Sequence, residues 1–279
     1  MSTVLDLPRI AHPDFAFPGI KPIGPVKIDW SHPLSQGLII CILPQSKAYQ
    51  NLARPTKSIT SVGSMNKNAL EFQTLSVVDT IPITPLVCGR DHFVLFAGSA
   101  FQSGWDSEGH IFQTLNAAPT ANVITLWKRD ISSVLSSFYG HPSNTPTNLT
   151  TTLTDMAADN SVLGLQHYRS GGSYYHKEYR SGALIADRAE AGGTETSRSE
   201  FLLNNLTAPY RGNFKLRGLF IWEKRVFTDA EAISLTRDPY QFLIPANNPM
   251  RLVYSAADGL SVDQIIAMRR KPNTPLIAM

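Results

Sequence analysis

Residues 210–245, YRGNFKLRGLFIWEKRVFTDAEAISLTRDPYQFLIP, restrict the fold more than any other stretch of the chain. Phe214, Leu216, Leu219, Ile221 and Val226 form an alternating apolar series with one slip around Gly218. The series predicts a final β-strand with one face buried and a bulge at the glycine. Thr228-Asp229-Ala230-Glu231 then fits a capping box, in which a hydroxyl and a carboxylate satisfy two backbone N–H groups reciprocally. Ala232, Ile233 and Leu235 supply the apolar face of a short helix, which must stop before Asp238-Pro239 because proline disfavours helical geometry in the residue before it. Trp30 and Trp222 both fall on predicted strands and are expected in the core.

The rest of the chain carries the same signature. Short apolar runs, about a dozen of them, are separated by clusters of Gly, Pro, Asn, Asp and Ser, as in an antiparallel sandwich. Long amphipathic helices do not alternate with them, which excludes a doubly wound α/β fold. The length of 279 residues suits one all-β domain with extensions. The net charge of +3 is scattered, and the longest basic cluster, Arg269-Arg270-Lys271, is too small for a nucleic-acid site at physiological salt. Cys41 and Cys88 lie inside apolar runs and read as buried thiols, with no disulfide or metal spacing around them. The start MSTVLDLPRIAHPD lacks the basic and apolar segments of a signal peptide, and no apolar window is long enough for a membrane span. Synthesis and folding in a reducing cytoplasm are therefore expected, and the sequons at Asn148 and Asn205 carry no meaning without secretion.

The strand, short capped helix and Asp238-Pro239-Tyr240-Gln241-Phe242 exit resemble the closing element of laminin G-like (concanavalin A-like) jelly rolls, in the version of tailed-phage virion proteins. Other segments follow the same family order. Residues 28–43, IDWSHPLSQGLIICIL, resemble its opening strand, and Asn68-Ala69-Leu70-Glu71-Phe72 the strand after its glycine-rich loop. Residues 93–96 match the next apolar strand, residues 161–168 the one beyond, and residues 174–182 a hairpin turning at Arg180-Ser181-Gly182. The resemblance spans residues 28–245 and implies an all-β, two-sheet antiparallel jelly-roll sandwich.

Outside that span the chain has two extensions, residues 1–27 and 246–279. Pro8, Pro13, Pro18, Pro22 and Pro25 punctuate the first and favour an extended arm. Leu5, Leu7, Ile10, Phe15 and Phe17 make it too apolar for a solvated linker. In the second, residues 263–270 predict a short helix with Ile265, Ile266 and Met268 apolar and basic residues in its last turn. These eight apolar residues are the expected contacts with other copies of the chain or with other coat or tail proteins.

The superfamily includes glycan hydrolases that carry their paired carboxylates on alternate positions of one strand. The nearest match here, residues 185–190, has Ile185 in the first carboxylate position, and Asp187 and Glu190 read as a loop before Gly192-Gly193. His167 and His176 are placed to meet across a hairpin, where a surface or core pair is a simpler reading than a catalytic one. Nucleophile elbow, phosphate loop and zinc-binding patterns are absent, so no enzyme activity and no cofactor are expected. Asp106 and Glu108 supply too few ligands for a tight calcium site. Trp105, Tyr174 and Tyr175 are candidate sugar contacts. The resemblance thus implies a non-catalytic virion protein, made in a host cytoplasm. It would be a head decoration or cementing subunit, or a tail or collar component, assembling as a homo-oligomer through its arms. The alternative is a carbohydrate-binding module for host-surface glycan.

Overall fold

The computed structural model describes residues 21–22, 25–46, 48–54, 59–61, 63–66, 69–72, 79–88, 91–100, 109–114, 124–128, 134–139, 147–158, 160–190, 196–204 and 212–246. Leu5, Leu7, Ile10, Phe15, Phe17, Trp105, the Asp106 to Glu108 loop, Ile265, Ile266, Met268 and the C-terminal helix lie outside the described residues. By contacts the chain divides into residues 12–246 and a second unit of residues 1–11 and 247–279; every described residue belongs to the first.

In chain order the strands are β1 (Val26–Ile28), β2 (Leu38–Ile42), β3 (Ala48–Tyr49), β4 (Ile59–Thr60), β5 (Ser64–Asn66), β6 (Ala69–Phe72), β7 (Asp79–Cys88), β8 (His92–Ala100) and β9 (Gly109–Thr114). There follow β10 (Ile124–Lys128), β11 (Val134–Tyr139), β12 (Thr147–Thr152), β13 (Ser161–Ser170), β14 (Ser173–Arg180), β15 (Ala183–Glu190), β16 (Thr196–Leu203) and β17 (Phe214–Glu223). The helix α1 (Asp229–Arg237) and β18 (Leu243–Pro245) close the series. An eight-stranded sheet runs β15-β14-β13-β8-β17-β6-β5, with β2 also paired to β17. A six-stranded sheet runs β12-β11-β10-β9-β16-β7. The fold is the expected all-β antiparallel sandwich with one short helix.

Across its central strands the larger sheet is buried on both faces. Toward the smaller sheet, Ile40, Ile42, Leu70, Phe72, Val94, Phe96, Leu163, Leu165, Phe214, Leu216, Leu219 and Ile221 pack with Ile111, Phe112, Leu149, Leu153, Met156 and Leu203. On the other face, Cys41, Phe93, Leu95, Phe220 and Trp222 pack under α1 and the flanking segments through Phe227, Ala232, Leu235, Tyr240 and Phe242. Burial on both sides explains why β2 and β8 read as continuous apolar runs instead of alternating ones. It also pushes the Cys41 thiol up, as expected of an inert buried cysteine. The Cys88 side chain is outside the described residues.

β17 holds the two layers together. The register slips between Leu216 and Gly218, so Arg217 is the extra residue and the inward parity changes from 214 and 216 to 219 and 221. The bulge expected at Gly218 is present. Trp222 is fully buried, rings of Phe93, Phe227 and Phe242 lie 5.4–5.7 Å from it, and its indole N–H donates to the Leu34 carbonyl at 2.7 Å. The capping box is also present: the Thr228 hydroxyl accepts the Glu231 N–H, and the Glu231 carboxylate accepts the Thr228 N–H.

Five expectations need correction. Trp30 is 52% exposed, because Asp29 accepts hydrogen bonds from the Ser31 N–H and hydroxyl and turns the chain immediately after β1. Residues 28–43 are consequently not one strand: β1 ends at Ile28, a 3-10 turn occupies Pro33–Ser35, and β2 begins at Leu38. Val226 is 45% exposed, since β17 ends at Glu223 where Lys224 takes a positive φ of 57°. β17 is not the last strand either, because β18 follows it and pairs with β1. Asp187 and Glu190 lie in β15 and not in a loop. Among the described residues no helix is long and apolar enough to cross a membrane.

Candidate functional site

β13, β14 and β15 form a meander whose register is set by two tight turns. Gly171 and Gly172 have φ of 58° and 87°; Ser181 and Gly182 have φ of 44° and 88°. Two consecutive positive φ values define the two-residue loop that matches strand twist in a hairpin. The turn expected at Arg180-Ser181-Gly182 is therefore in place. The first turn sets Tyr168 opposite Tyr175 and His167 opposite His176, and the second sets Lys177 opposite Asp187.

Side chains alternate between faces along each strand. His167, Arg169, Tyr174, His176 and Glu178 share the face that carries Leu163 and Leu165 toward the smaller sheet. Glu178 is fully buried there, and its two oxygens accept the Thr150 and Thr151 N–H groups of β12 at 2.8 and 2.7 Å. His92, His167 and His176 continue the row across β8, β13 and β14, all buried, with the rings of His92 and His167 5.2 Å apart. The two histidines expected to meet across the hairpin do so, as part of the packed interior.

The opposite face is open beyond the end of α1. Tyr168 and Tyr175 stack there with ring centroids 5.3 Å apart and planes 18° from parallel. Lys177 lies beside them, its ammonium 5.9 Å from the Tyr168 ring centre, 2.7 Å from Asp229 and 3.6 Å from Asp187. Asp229 is the first residue of α1, where the helix dipole favours a carboxylate, and it also accepts the Tyr179 hydroxyl at 2.7 Å. The bonds from Lys177 and Tyr179 hold the Asp229 carboxyl below its usual range, and the bond to Asp229 holds the Lys177 ammonium above its own. Burial, reinforced by Asp187, raises the Tyr168 phenol; burial and the bond to Asp229 raise that of Tyr179. Aromatic faces, a cation and two half-exposed carboxylates thus meet on one surface.

The sequence singled out Tyr174 and Tyr175 together, and the structure separates them. Adjacent strand residues point to opposite faces, so Tyr175 joins the open surface while Tyr174 stacks on His167 at 5.4 Å. Trp105 lies outside the described residues. Tyr168, Lys177, Asp187 and Asp229 were not among the sugar contacts expected from the sequence. Tyr168 had a usable signal, because it and Tyr175 are equidistant from the Gly171-Gly172 turn and must therefore be cross-strand partners. Asp229 had none, since its place depends on how α1 lies on the sheet. Among the described residues no group of three His, Cys, Asp or Glu side chains is arranged to hold a metal ion.

No family model matches the sequence, and no curated protein is similar to it. Several solved structures share the fold. Trypanosoma rangeli sialidase in complex with 2-keto-3-deoxy-D-glycero-D-galacto-2,3-difluoro-nononic acid has a TM-score of 0.55 at 13% identity, over 80% of this chain and 37% of that one. The same enzyme as its covalent intermediate with 2,3-difluorosialic acid has a TM-score of 0.55 at 11% identity, over 76% and 34%. An HCR/D mutant has a TM-score of 0.51 at 10% identity, over 72% and 51%. The chain thus spans about a third to a half of these proteins. At these identities the likeness is one of fold.

Proposed function

We propose that the chain is a non-catalytic carbohydrate-binding module that holds a sugar on the open face of β13, β14 and β15. The observation that carries this reading is the stacked Tyr168–Tyr175 pair beside Lys177, Asp187 and Asp229. A pyranose has apolar C–H faces that stack on aromatic rings and hydroxyls that pair with carboxylates and ammonium groups. A few placed polar groups on an aromatic surface are what such a ligand needs. Binding without catalysis is favoured by the state of the carboxylates. Asp229 is held below its usual range, the opposite of what a general acid requires, and Glu178 is sealed between the sheets. Isothermal titration of the intact chain with glycans that it retains on an array tests the proposal. Tyr168→Ala and Tyr175→Ala should each weaken binding about tenfold, the loss of one aromatic contact, without a change of fold by circular dichroism. Retention of no glycan, or affinity indifferent to both substitutions, would overturn it.

A second reading comes from the sequence, whose extensions intersperse Leu5, Leu7, Ile10, Phe15, Phe17, Ile265, Ile266 and Met268 with prolines and polar residues. Apolar extended arms of this kind suit contacts with neighbouring subunits in a virion, and self-association of the intact chain is the property that tests them. The two readings are compatible, since one uses the open sheet face and the other the chain ends.

A further inference from the structure

We infer that the sugar taken by this face is an uncharged pyranose, seated on the ring of Tyr175 above Ala189, and that acidic sugars are excluded. The inference rests on the carbohydrate-binding reading and adds the ligand class to it. Three strands set the shape of the seat. Tyr168 of β13 is opposite Tyr175 of β14, which on its other side is opposite Ala189 of β15. One ring face of Tyr175 is taken by Tyr168. The other face is turned toward β15, the last strand of the sheet among the described residues, where the partner is the exposed Ala189. The surface therefore steps down by the height of an aromatic ring at Ala189. Asp187 stands two residues along the same face, its side chain 46% exposed, at the edge of the step. A pyranose lying against Tyr175 would present its hydroxyls to that carboxylate.

Charge selects the class. Among the described residues the seat contains one ammonium, Lys177, and two carboxylates, Asp187 and Asp229, which sum to −1. Lys177 is already shared between both acids. Arg225, the next cation toward the start of α1, is tied to Glu231 at 3.1 Å and to the carbonyls of Pro33 and Gln36. Arg169 and Arg188 hold register positions on the opposite face, across from Tyr174 and His176. A sialic, uronic or sulfated sugar would have to break the Lys177–Asp229 pair or sit against a net negative surface, and both are unfavourable. A neutral sugar meets neither obstacle and gains a charge-assisted hydrogen bond to Asp187.

The test is an array carrying neutral oligosaccharides (glucans, mannans, galactans, N-acetyllactosamine) beside sialylated, sulfated and uronic-acid forms, probed with the intact chain. Titrations of Asp187→Asn and Tyr175→Ala follow. The expected result is retention of neutral glycans only, insensitive to salt, with each substitution weakening binding about tenfold. Because Asp187 is half exposed, Asp187→Asn probes the seat without disturbing the packing beneath it. Retention of acidic glycans that Tyr175→Ala abolishes would overturn the inference and leave the carbohydrate reading standing. Retention of no glycan of either class would remove both. Neutral binding unchanged in both variants would put the seat elsewhere and refute this one.

Discussion

Glu178 has no access to water; two backbone N–H groups of β12 donate to its carboxylate and Arg188 lies 3.8 Å away. A buried carboxylate is tolerated only with such partners. It thereby ties β12, at the edge of the smaller sheet, to the larger one. Glu178→Ala would leave the Thr150 and Thr151 N–H groups without that acceptor and should cost about 3 kcal/mol in urea unfolding. A loss within experimental error would mean that β12 is held by its apolar contacts alone. Lys21 is the opposite case. It is 3% exposed, donates to the Pro44 carbonyl, and is lowered to about 7 by burial and by Arg217. Above its ordinary 10.5 the amine is neutral in folded and unfolded chains alike and costs nothing. As pH falls from there toward 7, only the unfolded chain takes up the proton, so the fold loses stability. Below 7 the penalty is constant. Lys21→Met should therefore raise the Tm most at and below neutral pH, with the gain shrinking toward pH 10.5. A gain that does not vary with pH would assign the effect to packing.

At the scale of elements, α1 ties its cap to the open face. Its first turn supplies both Glu231, which completes the capping box, and Asp229, which orders Lys177 beside the tyrosines. Thr228→Ala should cost about 1 kcal/mol of stability. It should also weaken glycan binding, because Lys177 loses its anchor as the first turn frays. Stability loss with binding intact would separate the cap from the seat. This helix was fully legible in the sequence, because capping and the Pro239 stop act over a few neighbouring residues. The hairpin at Ser181-Gly182 and the bulge beside Gly218 were legible for the same reason. Trp30 was not: a tryptophan beside an apolar run reads as core, and only the Asp29–Ser31 turn shows that the chain has already left the strand. The seat was half legible. Tyr175 stood out as an aromatic, whereas Lys177, Asp187 and Asp229 acquire meaning only through cross-strand register and helix placement, which are long-range properties.

At the scale of the molecule, two cores share one sheet, and among the described residues their members lie between Val26 and Leu243. A chain cut to residues 21–246 retains both cores and the whole seat. It should fold with a Tm within a few degrees of the intact protein and keep its glycan affinity. The terminal segments then have a separable task. An arm that buries several hundred Å² of apolar surface gains on the order of 10 kcal/mol gross at about 25 cal/mol per Å². Ordering an extended chain cancels much of that gain. A single arm therefore gives weak association, and strong association needs many arms acting together, where effective concentration replaces contact area. Sedimentation velocity across a concentration series distinguishes the cases. If the arms clasp neighbours, the intact chain should form concentration-dependent oligomers and the 21–246 chain should remain monomeric at every concentration. Equal self-association of the two chains would assign assembly to the sandwich itself. If neither associates, the assembly reading falls, and the extensions would have to be explained within a single chain.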